Sequence, residues 1–165
     1  LFNGTIQLES EEHVGTTFTV ELPFQSGVDK TKDFITEYDV DLSDETEYRI
    51  LVVEDNKINQ VVTKKLLENH HFQCELVDDG YQAIELLQTE TFDAILMDIN
   101  MPKINGFETS KIIREKGFTL PIIAVTAFEK EEIMDKIKEA QINDVVVKPF
   151  EPAKLFYIIR SYINK

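Results

Sequence analysis

Residues 94–108 read AILMDINMPKINGFE, and the fold turns on how this stretch ends. Ala94 to Met97 run without a polar break and stop on the carboxylate of Asp98. Pro102 and Gly106 then break the chain within a few positions. A short continuous apolar run bounded by turn residues is the pattern of a strand covered on both faces. Packing gives such a strand no reason to end on an acid, so the carboxylate is the group the strand delivers.

The same alternation extends in both directions from this stretch. Short apolar runs predict strands at about 49–54, 73–77, 93–98, 121–126 and 143–148. Longer amphipathic segments predict helices at about 57–70, 80–89, 105–116, 129–140 and 151–163. Asp55-Asn56 can cap the first helix, whose apolar stripe is Ile58, Val61, Val62 and Leu66. Asp79-Gly80 precedes the second helix, with Ala83, Ile84 and Leu87 turned inward, and Leu155, Ile158, Ile159 and Tyr162 stripe the last. DAILM at 93–97 and DVVVK at 144–148 are continuous enough for buried strands. Five βα units of this size imply an α/β fold, a doubly wound parallel sheet with right-handed crossovers.

The flanking chain reads differently. Residues 1–23 look like two strands around a Gly-containing turn, with Phe18, Val20 and Leu22 on one face. An isolated hairpin is marginal in water, so this one either packs on something or is the remnant of a missing domain. Residues 25–48 carry eight acids and two lysines without sustained periodicity, the composition of a solvated linker. Phe34, Ile35 and Tyr38 could form a short binding motif within it.

Composition excludes several classes of function. The 165 residues are 42% hydrophobic, enough for a packed core, and carry a net charge of −14. Residues 1–48 account for −10 of that charge, leaving −4 for residues 49–165. Such a balance argues against direct binding to nucleic acid or an anionic membrane. The single cysteine, Cys74, excludes an internal disulfide and fits a reducing compartment. No apolar run reaches the roughly 18 residues needed to cross a bilayer, and no signal peptide opens the chain, so the expected location is cytoplasmic.

In an open α/β sheet, sites form outside the carboxyl ends of the strands. Those ends carry Glu54 and Asp55, Asp98, Thr126 and Lys148, whereas the second strand offers nothing comparable. Were the strands ordered 2-1-3-4-5, the first and third would be neighbours about 4.8 Å apart. Asp55 would then face Asp98, with Glu54 nearby. Two carboxylates about 5 Å apart repel by roughly 3 kcal/mol at an effective dielectric near 20. A hard divalent cation removes that cost, and Mg²⁺ takes one or two carboxylates while keeping positions for a phosphate. Thr126 could hydrogen-bond a phosphoryl oxygen and the Lys148 ammonium could neutralise another. The set suits a phosphoryl group held on Asp98. The turn at Met101-Pro102 lets the Asn100 backbone offer a carbonyl to the metal, and small Ala127 leaves room beside Thr126. Taken singly, each residue has a plain structural reading: a cap, a turn acid, a helix-start threonine, a surface lysine. Coincidence explains the four strand ends together poorly.

ILVVEDNKINQ at 50–60, ILMDINMPKINGFE at 95–108, PIIAVTAF at 121–128 and VVVKPF at 145–150 together resemble the receiver (response-regulator) domain of two-component phosphorelays. The resemblance covers about residues 49–165. It implies the flavodoxin-like (βα)5 fold with strand order 2-1-3-4-5. It further implies that Asp98 accepts a phosphoryl group from a phosphohistidine donor, either its own kinase core or a histidine-phosphotransfer protein. Asp55 and the Asn100 carbonyl would bind Mg²⁺ directly and Glu54 through water. Thr126 and Lys148 would contact the phosphoryl group, and Lys148-Pro149 would be cis. A receiver homodimer is a further expectation.

EDNKINQ at 54–60 resembles receivers at the ends of hybrid sensor histidine kinases. Residues 1–24 resemble the last two strands of the kinase ATP-binding domain, with Gly15-Thr16-Thr17-Phe18 as a final glycine motif. On that reading the domains are 1–24, an acidic linker at 25–48 and the receiver at 49–165. The chain would then catalyse only its own aspartyl phosphorylation and dephosphorylation, because most of the nucleotide pocket and the phosphoacceptor histidine segment are absent. His13, His70 and His71 lack the flanking pattern of such a histidine, and Cys74 reads as a small core residue.

Two departures from the receiver pattern stand out. Val145 occupies the place where many receivers carry a switching Tyr or Phe, so the output switch is expected to be muted or different. Asn105 replaces a common loop acid, a change expected to be minor. Two rival classes fare worse. A small-molecule phosphatase acting through an aspartyl-phosphate wants an acid at Asn100, and a pseudo-receiver usually lacks one of the key residues.

Overall fold

The computed structural model describes residues 4–11, 15–23 and 48–163. The linker expected at 25–48, apart from Tyr48, lies outside the described residues, as do the Phe34–Tyr38 motif and His13. The chain divides into two compact units, the first holding the N-terminal hairpin and the second holding everything from Tyr48 onward.

The hairpin consists of β1 (Thr5–Glu11) and β2 (Gly15–Glu21), paired antiparallel in the register Ile6↔Val20 and Leu8↔Phe18. Period-two alternation places those four side chains on one face, and they are exposed by 57–71%. Gly15 sits at φ 141°, a backbone region open to glycine but not to residues with a Cβ.

The second unit runs β3 (Tyr48–Val53), α1 (Lys57–Glu68), β4 (Phe72–Val77), α2 (Gly80–Leu86), β5 (Ala94–Asp98), α3 (Gly106–Glu115), β6 (Ile122–Thr126), α4 (Lys130–Glu139), β7 (Asp144–Val147) and α5 (Pro152–Ile163). All five strands pair in parallel, in the order β4-β3-β5-β6-β7, which is the expected 2-1-3-4-5. Alternation within the buried strands supplies two cores. Leu51, Val53, Ile95, Met97, Ile122 and Ala124 face a cluster that includes Ile113 and Ile133, and so meet α3 and α4. Ile50, Val52, Leu96, Ile123 and Val146 face Leu67, Leu155 and Ile159 of α1 and α5. Fully burying each such side chain is worth about 1.5–3 kcal/mol, which is why continuous apolar runs mark these strands.

Of the stripe read on α1, only Leu66 packs against the core, where it is partly buried in the second cluster. Ile58, Val61 and Val62 are 74, 54 and 52% exposed, while Gln60 and Leu67 are buried. Periodicity identifies an apolar stripe but not which side of the helix meets the sheet, and here a buried amide takes the inward position. Cys74 is half-buried against the second core, and His70 lies 3.8 Å from the Phe156 ring.

Candidate functional site

Each strand ends where the apolar run ends, and the parallel register lines those ends up. Val53 pairs with Met97, so Glu54 and Asp98 follow at the same level. Asp98 pairs with Val125, and Thr126 with Val147, which sets Lys148 one residue beyond. Glu54, Asp98 and Thr126 are buried, at 5, 8 and 1% exposure, whereas Asp55 and Asn100 are exposed. The structure therefore brings Glu54, Asp55, Asp98, Thr126 and Lys148 to one rim, with Asn100 on the loop above Asp98.

Lys148 holds the centre of this rim. Its Nζ donates to Glu54 Oε2 and to Asp98 Oδ2, both at 2.9 Å. The other Asp98 oxygen, Oδ1, accepts the Asn100 N–H at 2.8 Å. Burial pushes the Asp98 carboxyl above the usual carboxylate range, and the hydrogen bonds from Lys148 and the Asn100 N–H only partly offset it. Burial acts the same way on Glu54, but donation from Asn59 and Lys148 overcomes it and holds that carboxyl low. For Lys148, burial lowers the ammonium, and its two carboxylate partners more than reverse this, so the cation is held. Thr126 Oγ1 accepts the Phe128 N–H at 3.1 Å, and Lys148 N–H donates to the Thr126 carbonyl at 2.6 Å. The Lys148-Pro149 peptide is cis.

Glu54, Asp55 and Asp98 each offer a carboxylate oxygen, and these lie within 4.8 Å of one another. A cluster of hard oxygen donors suits Mg²⁺ better than a soft or nitrogen-seeking metal. Its charge suits a phosphoryl group only if a cation is present, and the arrangement supplies both a protein ammonium and a place for a metal.

Several residues here escape sequence reading. β4 does contribute to the rim: Asp78 pairs with Lys57, and buried Asp79 accepts Lys103 Nζ at 2.8 Å. Lys103 stands at φ 69°, a left-handed conformation in the loop that follows Asp98. Gln60 Nε2 donates to the Glu54 carbonyl at 2.6 Å and to Asp78 Oδ1 at 2.7 Å. Among surface-type residues on an amphipathic helix, only its phase opposite Ile58 and Val61 could have singled Gln60 out.

Residues 50–160 match the response regulator receiver domain family. The chain is 33% identical over 156 residues to the autoinducer 2 sensor kinase/phosphatase LuxQ of Vibrio vulnificus, an alignment covering 94% of this chain and 18% of that protein. It is 36% identical over 129 residues to the osmosensing histidine protein kinase SLN1 of Saccharomyces cerevisiae, covering 74% of this chain and 11% of the relative. The chain thus spans only about a fifth or less of the length of these relatives. Among solved structures, it is similar to the receiver domain of sensor histidine kinase PA1611 from Pseudomonas aeruginosa PAO1. That likeness has a TM-score of 0.67 and 36% identity over 73% of this chain and all of that one, whose active-site cleft holds a magnesium ion. With the parallel order, the acidic rim and the family match in agreement, this chain belongs to the response regulator receiver domain family, as found in hybrid histidine kinases.

Proposed function

We propose that Asp98 is the phosphoacceptor of a phosphorelay, taking its phosphoryl group from a phosphohistidine with Mg²⁺ held at Asp55, Asp98 and the Asn100 carbonyl and, through water, at Glu54. One observation carries this reading: a buried carboxylate at a strand tip has one oxygen on an ammonium and two further carboxylates within 4.8 Å. An Asp98 oxygen attacks phosphorus, the P–N bond breaks, and the departing imidazole nitrogen keeps the bonding pair and takes up a proton. Lys148 is already bonded to Asp98, so it needs only a small shift to follow the charge onto a phosphoryl oxygen. Thr126 Oγ1 can donate its own proton to a second oxygen while it accepts the Phe128 N–H. A divalent cation in the acidic cluster supplies the remaining charge neutralisation.

The donor would seat on α1. Ile58, Val61 and Val62 form an exposed apolar stripe on the helix that starts beside Glu54 and Asp55, and a protein that carries a phosphohistidine must dock close to Asp98. The hairpin is read as the tail of a kinase ATP-binding domain, in keeping with the sensor kinases among the relatives.

Intact mass after incubation with acetyl phosphate, with and without Mg²⁺, tests the acceptor. A Mg²⁺-dependent gain of one phosphoryl group that disappears in Asp98→Asn is expected. No gain in the wild type, even with a purified phosphohistidine donor, would sink the proposal.

A further inference from the structure

We propose that Asn59 and Gln60 are positioning residues that clamp Glu54 for the divalent cation. This inference rests on reading the acidic cluster as a cation site. The two adjacent side chains of α1 both reach back to one residue. Asn59 Nδ2 donates to Glu54 Oε1 at 3.0 Å, and Gln60 Nε2 donates to the Glu54 carbonyl at 2.6 Å. The Asn56 N–H donates to the same Oε1 at 3.2 Å. Oε1 is thereby occupied, and Oε2 alone is presented to the rim, where it meets Lys148.

Gln60 does the same for the backbone. It is 4% exposed and fills an inward position of α1 that an apolar side chain would ordinarily take. Its second strong acceptor is Asp78 Oδ1 at 2.7 Å, at the end of β4, so one amide ties the β3–α1 loop to the neighbouring loop. Asp78 is in turn paired with Lys57. The Glu54 N–H still donates to the Val77 carbonyl at 3.1 Å, so the Gln60 amide adds a tie at the Glu54 carbonyl while Asn59 fixes the side chain, and together they set the direction in which the carboxylate points. Hydrogen bonds from behind a ligand orient it and tune its basicity, and their loss commonly weakens metal affinity by about 10–100-fold. The pairing of Asn59 and Gln60 within EDNKINQ thus acquires a physical role that neither the acid pair nor the helix cap explains.

A Mg²⁺ titration of the full chain, followed through backbone amide shifts, separates this role from a merely structural one. Wild type, Asn59→Ala, Gln60→Met and the core variant Ile137→Val are compared. Each amide variant is expected to raise the Mg²⁺ dissociation constant about 10-fold, while Ile137→Val lowers the melting temperature and leaves the constant within about twofold. Asn59 is only partly buried, so Asn59→Ala remains a test if Gln60→Met fails to fold. Amide variants that bind Mg²⁺ within about twofold of wild type, or a core variant that loses as much affinity as they do, would overturn the clamp and leave the cation site standing. Absence of saturable Mg²⁺ binding in the wild type would overturn the clamp and the cation site together.

Discussion

At the scale of single residues, the site is a problem of charge. Lys148 sits between two buried carboxylates with its own side chain 29% exposed, so removing it strands Glu54 and Asp98 side by side. Breaking a fully buried pair costs roughly 3–5 kcal/mol, and partial exposure here reduces the expected loss for Lys148→Met to about 2 kcal/mol by denaturant unfolding. Mg²⁺ should then stabilise the variant more than the wild type, because the competing ammonium is gone. Equal Mg²⁺ stabilisation in both proteins would contradict this account. A second ion pair sets an acid-side pH dependence. The Lys103 ammonium, helped by the Gln82 N–H, holds the Asp79 carboxyl below its usual range. A group lowered on folding contributes stability above its unfolded value, and that contribution fades as pH falls through its folded value. Thermal melts of Lys103→Ala from neutral to acid pH should therefore fall less steeply than those of wild type. Asp98, Thr126 and Lys148 could be read from sequence because an apolar run has an unmistakable end. Gln60 and the Lys103–Asp79 pair could not, since their partners come from other strands and a solvated polar residue looks the same in a linear chain.

At the scale of elements, the site depends on how closely α3 approaches the end of β5. The Gly106 N–H donates to the Ile99 carbonyl at 3.1 Å, and a Cβ at Gly106 would run into the Asp98 carbonyl oxygen and stand 2.9 Å from Ile99 Cα. Both obstacles are backbone, so no rotamer change relieves them. Gly106→Ala should lose about 3 kcal/mol, the upper end for overpacking, and should slow acetyl-phosphate labelling of Asp98 because the strand tip must shift. A variant with wild-type stability and labelling rate would show that the helix has room to retreat. Asn105 caps α3 as well as a loop acid would. Its side chain accepts the Glu108 N–H at 3.0 Å while Glu108 Oε2 accepts the Asn105 N–H at 3.2 Å, a complete capping box. All ten strand and helix positions of this unit follow from apolar runs and cap residues to within a few residues. The inward face of α1 does not, because an exposed apolar stripe and a buried one have the same period.

At the scale of the whole molecule, the two units differ in how they are held. Among the described residues, both cores of the second unit draw only on residues between Tyr48 and Ile163, so this unit carries its own core. A chain starting at Tyr48 is accordingly expected to melt within about 2 °C of the full chain, a shift that corresponds to well under 1 kcal/mol for a domain of this size. Within the hairpin, every described position of β1 and β2 is exposed, including Ile6, Leu8, Phe18 and Val20. Two strands with one bare apolar face are marginal in water, and their amides open at little free-energy cost. Hydrogen exchange of the full chain should then split in two. Amides of β1 and β2 are expected to exchange close to the unprotected rate, while those of β3, β5 and β6, flanked by strands on both sides, wait for global unfolding. Protection in the hairpin equal to that of β5 would mean that something covers the Ile6–Phe18 face in solution. Protection that rises with protein concentration would identify the cover as a second copy of the chain. Protection independent of concentration would point instead to cover from within the same chain.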